Sequence, residues 1–172
     1  MTVKSETAMS GIAKKIKIII LDVDGVMTDG KIIVNDDGVE SKNFHVRDGL
    51  AIALAVRNGM LFSIISGRYS KVVERRVIPL GIHDIHQNVS DKLKVFEAVL
   101  AKNNLEAEQA AFMGDDINDI DVLQKAGYSA APSDADETVK KIVSWVSSYP
   151  GGGGAVREMI QFIMTKQKNW GL

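Results

Sequence analysis

A chain of 172 residues that is 45% hydrophobic is long enough to fold as one domain with a sizeable core. A net charge of −1, with 25% charged residues, gives no electrostatic footprint for nucleic acid or an anionic membrane, and no apolar run is long enough to span a bilayer. With no cysteine, disulfides and thiolate metal sites are excluded.

Residues 1–14 read as a weakly ordered lead-in, with Ile12 and Ala13 suited to packing. The stretch is polar and lacks the apolar core of a secretory signal, so a cytoplasmic location is expected. A buried strand over 16–21 then stops at two carboxylates, Asp22 and Asp24. Two short runs, 31–34 and 39–44, flank Asn35-Asp36-Asp37-Gly38 and predict a β-hairpin. A helix over 47–58 follows, with Leu50, Leu54 and Val56 expected on its inner side and Gly59 as its stop. Residues 61–65 predict a second buried strand ending at Ser66-Gly67-Arg68, then a helix over 70–78 and a short strand over 82–86.

An amphipathic helix over 90–103 carries Leu93, Phe96, Val99 and Leu100 at helical spacing. Residues 110–113 read as a strand that stops at Gly114-Asp115-Asp116. Helix over 117–125, strand over 128–130, helix over 134–141 and an edge strand over 143–146 complete the alternation. Pro150 and the glycines 151–154 then precede an amphipathic helix over 155–167; the glycines suit either a linker or a hinge for a mobile tail. Strands alternating with helices predict an α/β fold, a doubly wound parallel sheet in a single domain over 15–168.

The strand ends bring polar groups to one rim of such a sheet: Asp22 and Asp24, Ser66 and Arg68, Asp115 and Asp116, with Lys92 opening a helix. Carboxylates without thiolates suit a hard cation, and Mg²⁺ suits one or two carboxylates plus a phosphate oxygen. A hydroxyl, an ammonium and turn amides suit the remaining phosphate oxygens. The inventory points to a phosphate ester held against Mg²⁺ beside an aspartate nucleophile. A second carboxyl two residues on is available to protonate the leaving oxygen and then deprotonate water.

Asp22-Val23-Asp24-Gly25-Val26 with Thr28, Ile65-Ser66-Gly67, Lys92, and Gly114-Asp115-Asp116 with Asp119 resemble the four-motif signature of the haloacid dehalogenase superfamily, in order and over residues 16–165. The resemblance implies that Asp22 is the nucleophile and Asp24 the general acid/base. It implies that Ser66, Gly67 and Lys92 hold the phosphoryl group. Asp22, the carbonyl of Asp24 and Asp115 would bind Mg²⁺, with Asp116 and Asp119 orienting the metal and its waters. The segment between Asp24 and Ser66 is too short for a cap domain, so the chain resembles the capless branch, and within it the 3-deoxy-D-manno-octulosonate 8-phosphate phosphatases. The residues that carry this closer resemblance are Asp22–Gly30, His45–Gly49, Ser66–Arg68, Arg76 and Gly151–Glu158.

That likeness implies a homotetramer built on the hairpins, with neighbouring subunits helping to cover each active site. It also implies contacts to an acidic sugar phosphate from Asp24, Lys92, Arg68, Arg76 and the segment His45, Val46, Arg47, Asp48 and Gly49. Ala53 departs from members that carry an arginine there. A nine-carbon sialic-type acid 9-phosphate is therefore an alternative substrate, and a non-catalytic scaffold an alternative of another class.

Overall fold

The computed structural model describes residues 6–170. At its centre, β1 (Ile18–Leu21) is buried along its whole length. Its side chains alternate between two cores: Ile19 and Leu21 face one, Ile18 and Ile20 the other. A strand apolar on both sides belongs in a sheet covered on both faces. β4 (Leu61–Ile65) and β6 (Ala110–Met113) flank it in parallel, with Ile18 level with Leu61 and Ala110. With β5 (Asp84–His86), β7 (Tyr128–Ala131) and β8 (Trp145–Val146), the six-stranded parallel sheet runs β5-β4-β1-β6-β7-β8. The expected doubly wound architecture holds, and the segment between Asp24 and Ser66 folds without a cap domain.

One face is covered by α1 (Glu6–Ala13), α2 (Val46–Arg57), α3 (Lys71–Val77) and α7 (Ala155–Lys166). The other carries α4 (Lys92–Lys102), α5 (Ile120–Lys125) and α6 (Glu137–Ile142). The chain order reverses between β4 and β6 on either side of β1, which puts a ligand crevice at the carboxyl end of β1.

Three expectations need correction. The first five residues of the expected lead-in lie outside the described residues, but much of the rest is α1, with Met9 and Ala13 buried in the core. On α2 the inner face is Ala51, Ile52 and Ala55, while Leu50 stands 53% exposed. That face packs against α7, and Leu50 lies off it.

The third concerns the glycine run. A Cβ on Gly151 would fall 1.8 Å from the Gly25 carbonyl oxygen, and one on Gly152 2.6 Å from the Thr28 carbonyl carbon. The Gly152 N–H donates to the Val26 carbonyl at 3.0 Å, and the Gly151 N–H to Asp134 Oδ1 at 2.8 Å. This segment is a tight turn packed against the loop that follows β1, so it is not a free linker, and the close backbone approach accounts for Gly151 and Gly152.

The hairpin is short, β2 (Ile33–Val34) against β3 (Glu40–Ser41). Asn35 organises its turn by accepting from the N–H groups of Asp37 and Val39.

Candidate active site

Asp22 continues from β1, and its amide donates to the Met113 carbonyl at 3.1 Å, so the sheet ladder itself fixes its backbone. The chain then turns back: the amides of Met27 and Thr28 donate to the Val23 carbonyl at 2.9 and 3.1 Å. Gly25 takes φ +84°, and a Cβ there would overlap Asp115 Oδ2 at 1.9 Å. Only glycine permits both that backbone and that neighbour. The tight turn thus lets a second carboxylate approach the first.

Asp22 is 5% exposed. Its Oδ1 accepts from the Val23 N–H at 2.6 Å, and its Oδ2 from Lys92 Nζ at 2.7 Å. Lys92, in the first turn of α4 and also buried, donates equally to Asp119 Oδ1 at 2.7 Å. The other Asp119 oxygen accepts from the N–H groups of Asp115 and Asp116 at 3.1 and 3.3 Å, which fixes the turn after β6. Asp116 is exposed and caps the following single turn through the Ile117 N–H.

Oxygens of Asp22, Asp115 and Asp119 lie within 4.8 Å of one another. One lysine cannot balance three crowded carboxylates. Burial, then Asp119, pushes the Asp22 carboxyl up to about 6 despite Lys92. Burial and the charges of Asp22, Asp119 and Asp116 push Asp115 up to about 8. Burial works against the Lys92 ammonium, but Asp22 and Asp119 outweigh it and hold its pKa above the usual lysine value.

Asp115 Oδ1 is buried without a hydrogen-bond partner. An orphaned carboxylate oxygen beside two more carboxylates, with no sulfur or imidazole in the cluster, fits a hard divalent cation such as Mg²⁺. A dication would supply the missing positive charge and satisfy that oxygen.

The cleft over this cluster has a volume of about 240 Å³. It is lined by Asp22, Asp24, Ser66, Gly67, Arg68, Asp115 and Asp116, together with Gly30 and Asn118. Ser66 is buried at the end of β4, where its amide donates to the His86 carbonyl at 2.9 Å. Asp24 stands at the mouth with a charged group that motif reading missed. Lys42 Nζ, from the hairpin arm after β3, is hydrogen-bonded to Asp24 Oδ1 and lies 2.9 Å from Glu40 Oε1. Arg68 approaches the same pair, 3.7 Å from Asp24 Oδ2 and 3.4 Å from Glu40 Oε1. Bonding to Lys42 is the main reason the Glu40 carboxyl lies below its usual value. The sequence signal was Glu40-Ser41-Lys42, two charges at strand period on one side of a hairpin arm.

The segment 45–49 and Arg76 stand apart from this cleft within one chain. His45 and Arg47 line a separate pocket of about 450 Å³ with Tyr149, Gly154 and Arg157. Val46 is 79% exposed. Asp48 is buried and turned inward, accepting at Oδ1 from the Arg157 N–H at 2.9 Å, where it caps α7. Burial pushes its carboxyl up. Arg76 lies over Gly49, where a Cβ would fall 2.0 Å from Nη2, and 5.9 Å from the Phe44 ring centroid.

A family model described as haloacid dehalogenase-like hydrolase matches residues 62–160, more than half of the chain. The chain is 40% identical over 155 residues to the 3-deoxy-D-manno-octulosonate 8-phosphate phosphatase KdsC of Escherichia coli strain K12, covering 90% of this chain and 82% of that one. A crystal structure of the Yersinia pestis phosphatase of the same name superposes with a TM-score of 0.93 at 38% identity, over 94% of this chain and 88% of that one. The Moraxella catarrhalis phosphatase, solved with magnesium ion, phosphate ion and KDO, gives a TM-score of 0.94 at 35% identity, over 96% and 95%. The chain belongs to the haloacid dehalogenase-like hydrolase family, and within it groups with the 3-deoxy-D-manno-octulosonate 8-phosphate phosphatases.

Proposed function

We propose that this protein is a Mg²⁺-dependent phosphatase that hydrolyses 3-deoxy-D-manno-octulosonate 8-phosphate to the free sugar acid and phosphate. The observation that carries the reading is Asp22: a buried carboxylate at the end of the central strand, aimed by Val23 and Lys92, beside a carboxylate cluster suited to a dication.

In this reading an Asp22 carboxylate oxygen attacks phosphorus and the bond from phosphorus to the sugar oxygen breaks, leaving an aspartyl-phosphate. Asp24, at the cleft mouth, gives its proton to the departing sugar alkoxide. Asp24 then takes a proton from water as that water attacks phosphorus, which frees Asp22 and releases phosphate. Ser66 and the amide of Gly67 hold phosphoryl oxygens, and Lys92 keeps the nucleophile oriented and charge-balanced between turnovers. Asp22, the Asp24 carbonyl and Asp115 would hold Mg²⁺, with Asp116 and Asp119 supporting them, and the bound ion supplies charge neutralisation for the phosphoryl oxygens. Arg68 offers a planar guanidinium to the sugar-acid carboxylate.

The apolar hairpin supports a homotetramer with shared active sites. Ile32, Ile33, Val34 and Val39 are 44–58% exposed, a patch that isolated surface residues do not make. Packing of a neighbour there also offers a route for Arg47 or Arg76 of one copy to serve the cleft of another. A cytoplasmic location accords with the absence of cysteine and of any helix, among the described residues, long and apolar enough to cross a membrane. The test is Asp22→Asn. Phosphate release from the sugar-acid phosphate with Mg²⁺ should fall by about 10⁴-fold or more, and turnover near the parent rate would overturn the nucleophile assignment.

A further inference from the structure

Lys42 lies outside all four motifs, yet its side chain is among the most buried charges of the site. Only 1% of it is exposed, against 23% for Asp24, 19% for Glu40 and 46% for Arg68. An ammonium survives such burial only when its protons are taken up by partners. Lys42 donates to Asp24 Oδ1, in the loop after β1, and is ion-paired at 2.9 Å with Glu40 Oε1 of the hairpin. Arg68 Nη1 lies 3.7 Å from the other Asp24 oxygen, beyond hydrogen-bond reach. Among the described residues Lys42 therefore makes the short contact that fixes the Asp24 carboxylate, on Oδ1, and leaves Oδ2 without a hydrogen bond beside Arg68. Glu40 in turn fixes Lys42, so the hairpin acts as a strut against the proton-carrying residue.

We propose that Lys42 is a positioning residue for the known class of reaction: it holds Asp24 in the rotamer from which Oδ2 meets the ester oxygen of the leaving group. The inference rests on the assignment of Asp24 as proton carrier. It does not depend on which sugar acid is the substrate. An aspartate left without this contact swings about two side-chain torsions, and proton delivery to the leaving oxygen suffers first. Esters whose alcohol is a poor leaving group depend on that proton, and aryl esters depend on it little.

The experiment compares the parent with K42M, K42R and E40Q, in Mg²⁺, on a series of phosphate monoesters from p-nitrophenyl phosphate to primary alkyl and sugar phosphates. K42M should lose about 10- to 100-fold in kcat on the alkyl esters and about twofold or less on the aryl ester. K42R keeps the cation and should recover most of the alkyl activity, while E40Q should show the same pattern more weakly and serves if K42M misfolds. Equal loss across the series, or no loss, overturns the proposal. Crystal structures give an answer independent of turnover: Asp24 should keep a single rotamer in the parent and K42R and turn or split in K42M, whereas an unmoved Asp24 in K42M overturns it. Failure of the parent on 3-deoxy-D-manno-octulosonate 8-phosphate alone, with other alkyl phosphates still cleaved, would remove that substrate and leave the Lys42 assignment intact.

Discussion

Stripping divalent cations and then raising the pH should destabilise this protein, the opposite of the usual behaviour of carboxylates in salt bridges. The folded chain holds the Asp22 carboxyl up at about 6 and Asp115 up at about 8, against 3.8 for either group in the open chain. Both folded values are raised, so between those limits the folded state binds protons that the unfolded state has released. Its stability is then fully present below pH 4 and is lost as the pH rises through 6 and 8. At about 1.4 kcal/mol per pKa unit, going from pH 5 to pH 8 gives up about 3–5 kcal/mol over the interacting pair, most of it at Asp115. For a chain of this size that is a fall in Tm of about 10 °C or more. Mg²⁺ competes with those protons, so its stabilisation should grow over the same interval; at a hundredfold excess over Kd it adds about 2.7 kcal/mol. The lowered groups, among them Glu40, release their contribution only in acid below this window. Differential scanning calorimetry on chelator-treated and Mg²⁺-loaded protein at pH 5, 6, 7 and 8 reads both effects. A metal-free Tm that is flat or rises, or a Mg²⁺ increment that does not depend on pH, would refute the reasoning.

Other substitutions probe the frame around the site. Asp48→Ala leaves the Arg157 N–H at the start of α7 without its acceptor and should cost about 1–3 kcal/mol in urea unfolding; a raised KM at unchanged stability would instead place Asp48 on the substrate. Gly151→Ala drives a methyl into the Gly25 carbonyl at 1.8 Å and should lower stability by about 3 kcal/mol, with the loop carrying Asp24 disturbed; an unaltered Tm would show that the turn yields freely. Ile33→Ser with Val34→Ser removes apolar surface that is 44% and 56% exposed and should shift sedimentation toward smaller species. An unchanged profile would count against assembly through the hairpin.

What the sequence made legible was local. The apolar run 18–21 stopping at Asp22, and the runs 61–65 and 110–113 stopping at Ser66 and Gly114, each mark a strand and its polar end in a single short window. Because a parallel sheet brings such ends to one rim, the cluster of Asp22, Lys92, Asp115 and Asp119 followed from them. Asp119 proved more central than its place late in a motif suggested, since it shares Lys92 with Asp22 and accepts two turn amides.

What was not legible concerns contacts between distant segments. Asp48 sits in a motif-like stretch, and only the fold reveals that α7, more than a hundred residues later, begins on it. Leu50 fits a helical stripe, but it lies off the face that packs against α7, which periodicity does not encode. The glycines 151–154 look like a linker until the loop at 25–29 is seen pressed against them. Lys42 reaches Asp24 over a separation of 18 residues, and no spacing rule links the two.

The most direct measurement is kcat/KM with Mg²⁺ for 3-deoxy-D-manno-octulosonate 8-phosphate beside 2-keto-3-deoxynononic acid 9-phosphate, with and without chelator. The expected result is metal-dependent release of phosphate with a preference of about tenfold or more for the eight-carbon acid. Equal or reversed values, or release that survives chelation, would contradict it.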